Sequence, residues 1–315
     1  MLQEDRVPED SSVFFVYMLG ICRGYPYRRV TVRGFELFTH ANAIDDDITE
    51  LGLIHSKHQN HLSQYHTFYK EVVCNGTDPC SRHLAVDVGA YVGSHALYMA
   101  KLGMEVHAFE PHEPSAALLA CAVEENGMAG AVHVVREGLG AAVGEACMLQ
   151  PRSQLPQWST IIQKSTSSCD KPSSVVHLST LDLYWQAQLQ GRQIDVLKID
   201  AEGYEYHILD GARQLMRDAP PPFILLEYHP RLLALKRVDA SMLLNLAAAA
   251  HYRVYDCQSK KELKHLVASV GVLEAYRHSD RVTDLLLVRR RDFPHRIPAF
   301  SCAYHVGRKW TDTLH

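Results

Sequence analysis

Asp200 and Glu202 follow directly on a short apolar run, Val196-Leu197-Lys198-Ile199, and Gly203 comes immediately after them. A run of that length is the size of one buried strand, and ligands of open α/β sheets bind outside the carboxyl ends of such strands. Two carboxylates at a strand mouth can orient a hydroxyl or take its proton. This reading makes Asp200 the orienting group or base and Glu202 its close partner. Lys198 lies inside the run, where an unpaired ammonium is costly, so a carboxylate partner is expected. The plainer alternative is a structural ion pair between Lys198 and one acid, with Glu202 capping the next helix. A second acidic strand end stands in Leu226-Glu227-Tyr228-His229-Pro230. Residues two apart on a strand share a face, so Glu227 and His229 are both expected to point into the cleft beside Asp200. Together Asp200, Glu202, Glu227 and His229 lack the close spacing of a recognisable metal motif. No metal site is expected, and a divalent cation is kept as the lesser alternative.

A glycine turn, Asp87-Val88-Gly89-Ala90-Tyr91-Val92-Gly93, joins a strand to a helix, and Phe109-Glu110-Pro111 ends the strand after it. An acid at that second strand end is where a ribose hydroxyl pair is held in nucleotide-binding α/β folds. A nicotinamide or flavin dinucleotide site would instead use GxGxxG, so that backbone amides approach a pyrophosphate. Here the second glycine follows three intervening residues, and Asp87 at the rim would repel phosphate. The sign of its charge suits S-adenosylmethionine, which carries an ammonium and a sulfonium and no phosphate. Opposite charges about 4 Å apart at an effective dielectric near 20 attract by roughly 4 kcal/mol before desolvation.

The elements that must position these residues alternate in βα order from residue 84, which signals a parallel sheet. Strands are expected at 84–88, 104–109, 131–136, 194–199 and 222–227, with a short hairpin partner at 146–149. Helices are expected near 92–102, 114–126, 204–216 and 239–250. Residues 252–255 and 284–288 would close the sheet, the last antiparallel. Residues 151–174, rich in Ser, Thr, Pro and Gln, read as a long loop and a candidate substrate lid. Residues 1–80 leave the rhythm. Leu62, Tyr65, Tyr69 and Val72 have helical spacing, which predicts an amphipathic helix over 51–73 in an N-terminal helical extension. His55, His58, His61 and His66 read as a solvated helix face. The tail 291–315 reads as irregular, and Arg289-Arg290-Arg291 as a solvated strand end.

Composition narrows the class further. Of 315 residues, 47% are hydrophobic and 22% charged, which describes a folded globular chain. A formal charge of −4 gives no electrostatic case for nucleic acid as a partner. The apolar run Val13 to Cys22 is shorter than the about 20 residues a membrane span needs. Acids at Glu4, Asp5, Glu9 and Asp10 speak against a signal peptide. The eight cysteines are scattered without a CxxC pair. They read as reduced structural thiols and the compartment as cytoplasmic.

VDVGAYVG at 86–93, HAFEP at 107–111, STLD at 179–182, DVLKIDAEGYEYHILDGA at 195–212 and ILLEYHP at 224–230 occur in that order. In this the chain resembles the FkbM family of S-adenosylmethionine-dependent methyltransferases, over residues 84–290. KIDAEG is the most specific block. The resemblance implies the class I methyltransferase (Rossmann-like) fold, a seven-stranded mostly parallel sheet with helices on both faces. It implies O-methylation of a hydroxyl on a small molecule, sugar or glycan. It also implies a cofactor pocket around Asp87, Gly89, Ala90, Tyr91, Gly93 and Glu110. One departure is that the family has asparagine after Gly-Ala, where this chain has Tyr91. Two further readings stand beside it: a nicotinamide-dependent oxidoreductase, and a binding protein that keeps the fold without turnover.

Overall fold

The computed structural model describes residues 18–32, 34–40, 65, 67–76, 79–149, 160–162, 169, 175–257, 259, 261–279 and 282–291. Three strands open the described chain: β1 (Met18–Cys22), β2 (Tyr25–Val32) and β3 (Phe35–His40). After a short π-helical stretch, Phe68–Val73, come β4 (Leu84–Val88), helix α1 (Ser94–Lys101), β5 (Glu105–Phe109), α2 (Glu113–Glu125) and β6 (Val132–Val135). Four short strands follow: β7 (Gly138–Leu139), β8 (Gly144–Leu149), β9 (Thr160–Ile162) and β10 (Val175–Ser179). The βα pattern then resumes with α3 (Leu181–Ala187), β11 (Val196–Ile199), α4 (Glu205–Asp210), α5 (Arg213–Asp218) and β12 (Phe223–Tyr228). The last elements are α6 (Pro230–Leu235), α7 (Ala240–Ala249), β13 (Tyr252–Asp256), β14 (Lys261–Glu262), α8 (Leu266–Ser279) and β15 (Thr283–Arg289).

The main sheet has the order β14-β13-β15-β12-β11-β4-β5-β6. It is the expected seven-stranded sheet with the two-residue β14 added at one edge. Strands β6, β5, β4, β11 and β12 run parallel, and β15 is antiparallel to both of its neighbours. Every residue of β4, β11 and β12 is buried, as central strands covered on both faces must be. One apolar core lies against α1, α2 and the N-terminal strands, and a second lies on the opposite face against Tyr204, Ile208, Leu233 and Leu243. No helix among the described residues is long and apolar enough to cross a membrane.

The N-terminal region corrects the sequence expectation. Its described residues within 18–40 form an antiparallel sheet, β1-β2-β3, where a helical extension was expected. Its first turn is Arg23-Gly24, with φ of 50° and 89°, and Gly34 stands at φ 77° between β2 and β3. Hairpin turns of this kind need left-handed residues, and Arg-Gly is a weaker signal than Asn-Gly. Phe68, Tyr69 and Val73 are buried, so the apolar spacing at Tyr65 and Tyr69 did mark a face packed on the core. Residues 51–64 and the histidines 55, 58, 61 and 66 lie outside the described residues, as do the tail beyond 291 and most of 151–174.

Two further differences have local causes. The helix expected over 204–216 is two helices, broken at Gly211-Ala212. The backbone leaves the helical region there, at ψ 4° for Gly211 and φ −117°, ψ 21° for Ala212, and a side chain at Gly211 would meet the Gly140 carbonyl oxygen at 2.0 Å, which holds that position to glycine. Asp182 accepts from the Gln214 and Leu215 amides, both at 2.8 Å, and caps the second helix. The segment at 146–149 joins no hairpin on the main sheet but a small sheet of order β7-β10-β8-β9.

Among the described residues the cysteines are paired, which corrects the expectation of reduced thiols. Disulfides join Cys22 to Cys121, Cys74 to Cys80 and Cys147 to Cys169, and Cys257 is also disulfide-bonded. The Cα separations of 6.5, 5.4 and 5.4 Å are ones a disulfide spans. Cys22–Cys121 ties β1 to α2 across a sequence separation of 99. In the chain-entropy view a crosslink of that span stabilises by about 4–5 kcal/mol. Non-reducing peptide mapping of purified protein is expected to recover the Cys22–Cys121 peptide, with reduction lowering the thermal midpoint. Alkylation of both residues without reductant would contradict the pairing.

Candidate active site

The site forms where β4, β5, β11 and β12 end. Register places Lys198 opposite Asp87 on β4 and opposite Leu225 on β12. The Lys198 Nζ lies 3.4 Å from Asp87 Oδ1 and 3.3 Å from Asp200 Oδ2. The sequence-derived partner for Lys198 is therefore two acids. Burial alone would lower its ammonium, but Asp87 and then Asp200 raise it above the ordinary lysine value. Burial also pushes the Asp87 carboxyl up, against the pull of Lys198. Neither Asp87 oxygen makes a hydrogen bond within the protein, so at 3.4 Å its link to Lys198 is an ion pair without donor alignment. The Asp200 side chain is 40% exposed against 6% for Lys198, and so presents the open end of this pair to the cleft.

The glycine turn is built by close approach. A Cβ on Gly89, at φ 76°, would stand 1.7 Å from the Asp200 carbonyl oxygen. Gly93, at φ 92°, would meet Leu119, and it precedes the first residue of α1. The amides of Gly89 and Ala90 both donate to the Phe109 carbonyl at 3.0 Å, which joins the tips of β4 and β5. Tyr91 is left-handed at φ 51°, and its amide donates to Glu110 Oε2 at 2.7 Å. The His112 amide donates to Glu110 Oε1 at 2.8 Å. Burial pushes the Glu110 carboxyl up to about 7, against the pull of those two amides. The Tyr91 ring stacks at 5.7 Å on His40 of β3, so the N-terminal sheet walls this side of the turn. His40 and His112 each have a ring nitrogen on the Ser115 hydroxyl, at 3.0 and 2.7 Å. Burial lowers both imidazoles to about 4, which keeps them neutral beside the turn.

Across the cleft, Glu202 sits on a left-handed turn at φ 51°, an uncommon conformation for a residue with a side chain. The turn is fixed from beneath by Glu205, whose Oε1 accepts from the amides of Ala201 and Gly203, both at 3.0 Å. Glu205 is fully buried, and burial raises its carboxyl to about 7 against the pull of these backbone amides. It is a positioning residue that sequence reasoning missed, although an acid three residues after Glu202 at a helix start is the signal for it. Thr160 on β9 donates to the Glu202 carbonyl at 2.7 Å, so part of the 151–174 segment lies against the site.

Asp200, Glu202 and Glu227 each bring a carboxylate oxygen within 4.8 Å of the others. His229 stands outside this group; its Nδ1 accepts from the Leu232 amide at 3.4 Å and caps α6. Of the two residues expected to point into the cleft beside Asp200, Glu227 lies with Asp200 and Glu202, and His229 gives its Nδ1 to the start of α6. Glu227 is 8% exposed, and its Oε2 has no hydrogen-bond partner. Burial, then Asp200, Glu202, Glu205 and Asp284, all push its carboxyl well above the usual range. Asp284, opposite Glu227 on β15, accepts from the Tyr65 hydroxyl and is itself raised to about 7, chiefly by burial. Neither Asp284 nor the Tyr65–Asp284 bond was foreseen from sequence.

Several crystal structures are similar to this chain. Methyltransferase FkbM from Methylobacillus flagellatus KT gives a TM-score of 0.41 at 15% identity, covering 65% of this chain and 43% of that one. The tRNA (uracil-54, C5)-methyltransferase of Pyrococcus abyssi, in complex with S-adenosyl-L-homocysteine, gives 0.39 at 12%, covering 83% and 44%. The O-methyltransferase from Bacillus cereus, in complex with SAH, gives 0.40 at 12%, covering 78% and 88%. This chain thus spans less than half the length of the first two. None of the curated proteins matches it. The methyltransferase FkbM domain model matches residues 87–254, more than half of the 315 residues and every acidic strand tip from Asp87 to Glu227, and the chain belongs to that family.

Proposed function

We propose that the chain is an S-adenosylmethionine-dependent methyltransferase acting on a hydroxyl of a small molecule, sugar or glycan. The observation that carries this reading is the pair of buried carboxylates, Asp87 and Glu110, on adjacent parallel strand ends around a Gly89 that admits no side chain. Gly89 admits the Asp200 backbone at the turn, Asp87 is buried against Lys198 beneath it, and an acid at the second strand end suits a nucleoside's ribose better than a pyrophosphate. Bound S-adenosylmethionine supplies a methyl group on a sulfonium. Glu110 would accept from the ribose hydroxyls, and Gly89, Ala90, Tyr91 and Gly93 would line the nucleoside.

On the acceptor side, Asp200 would orient the hydroxyl and take its proton when that oxygen receives the methyl group. Lys198 holds Asp200 in place, and Glu202 and Glu227 bound the cleft beside it. In-line displacement draws most of its rate from holding the three reacting atoms in line, a task for rigid strand tips. Residues 81–290 would form the methyltransferase domain, residues 1–80 an extension walling it, 151–174 a lid over the acceptor, and 291–315 a tail. The contact of Thr160 with Glu202 supports the lid. Paired cysteines are characteristic of oxidising compartments, and they favour such a compartment over the cytoplasmic one expected from sequence.

Calorimetry is expected to show saturable S-adenosylmethionine binding that is lost in Glu110→Ala. Because the Glu110 carboxyl is raised to about 7, it is mostly protonated below that pH and ionised above it. Affinity is therefore expected to rise with pH and level off above about 7. Tight uptake of a nicotinamide dinucleotide with no heat from S-adenosylmethionine would end the reading. Asp200→Asn is expected to keep the cofactor and lose turnover by about 10²–10⁴-fold on an active acceptor, drawn from a panel of sugars, glycans, phenols and tRNA. Full turnover in that variant would remove Asp200 from the chemistry, and cofactor binding without turnover on any acceptor would favour a non-catalytic protein.

A further inference from the structure

We infer that Asp200, Glu202 and Glu227 form a binding site for one divalent cation of the Mg²⁺, Mn²⁺ or Ca²⁺ class. Their spacing in sequence carries no metal motif, and the fold brings them together only because β11 and β12 end side by side. Three carboxylate oxygens lie within 4.8 Å of one another. Oxygens bound to one cation at about 2.0–2.6 Å lie about 3–5 Å apart, so little movement would bring all three onto a shared ion. A cluster of acids alone says little, because solvated acids gather without metal. Glu227 supplies the second observation. It is more than nine-tenths buried, its Oε2 has no partner, and it faces the other two acids.

A buried polar atom left unpaired costs free energy and calls for an explanation. Protein cations do not provide one here. Lys198 is held by Asp87 and Asp200, and the groups that act most strongly on Glu227 are four other carboxylates. The donor set is all oxygen, with no cysteine, and with His229 turned to its helix cap. Such a set suits hard cations rather than zinc. Glu205 fixes the turn that carries Glu202, so that ligand is held from beneath. The role of the ion, gripping an acceptor hydroxyl beside Asp200 and easing its ionisation, rests on the methyltransferase reading; the site itself does not.

The test is electron paramagnetic resonance titration of the full chain with Mn²⁺ alone, with Mg²⁺ and Ca²⁺ as competitors. One saturable Mn²⁺ per chain is expected. Binding should fall at least roughly tenfold in Glu227→Gln and in Glu202→Gln. Glu202 is only half-buried, so its variant keeps the test available if Glu227→Gln does not fold. Absence of saturable binding up to about 1 mM, or binding unchanged in both variants, would overturn the site. S-adenosylmethionine calorimetry on the same samples separates the two claims. Cofactor binding without Mn²⁺ binding removes the cation and leaves the methyltransferase. Mn²⁺ binding without cofactor binding does the reverse.

Discussion

One buried ammonium, Lys198, lies between two carboxylates on neighbouring strands, and the geometry of the site follows from that bridge. The register of β11 on β4 puts Lys198 across from Asp87, and the chain then carries Asp200 one step past the strand end. A lysine in a fully buried strand is tolerable only with compensating charge, and removing one member strands the others. Beside the bridge the Asp200 amide donates to the Val88 carbonyl at 2.9 Å, and the Asp200 backbone lies so close to the turn that position 89 has no room for a Cβ. The glycine turn and the acidic strand mouth are thus two consequences of one packing arrangement. Neither can shift without moving the other.

Around that bridge the site gathers more carboxyl groups than cations. Glu110 and Asp284 accept from backbone amides or a tyrosine hydroxyl, and Glu205 accepts from two amides through Oε1 while its Oε2 has no hydrogen-bond partner. Neither Asp87 oxygen nor Glu227 Oε2 has such a partner; Asp87 is compensated by the Lys198 ammonium, whereas Glu227 faces other carboxyls. The N-terminal sheet closes the glycine-turn side through His40 against Tyr91, and the Cys22–Cys121 crosslink holds that sheet to α2. The small sheet reaches the Glu202 side through Thr160.

Much of this was legible in the residues themselves. The βα alternation after residue 84 marked the central strands within a residue or two, because fully buried strands separated by amphipathic helices leave few other folds. The acids at 87, 110, 200, 202 and 227 could be placed at strand ends for the same reason. What escaped depended on contacts between distant segments. Arg23-Gly24 gave little warning of a hairpin, and the scattered cysteines gave none of their partners. Position 211 must be glycine because the Gly140 carbonyl passes close to it. Strand alternation gave no sign that His229, still extended after β12, caps α6 through Nδ1. Glu227 was seen, yet its lack of a partner depends on what β15 and the 202 turn place around it.

The central claim is that Lys198 couples Asp87 to the strand mouth. A double-mutant cycle on folding stability measures this directly, using Lys198→Met, Asp87→Asn and the combined variant in chemical denaturation. Lys198→Met alone is expected to cost about 3–5 kcal/mol, because Asp87 is left charged and buried. The combined variant should recover a large part of that loss, with a coupling above about 1 kcal/mol, since Asp200 can turn to solvent. Losses that simply add would show that the two groups are neighbours without being partners, and the account built on their bridge would fail.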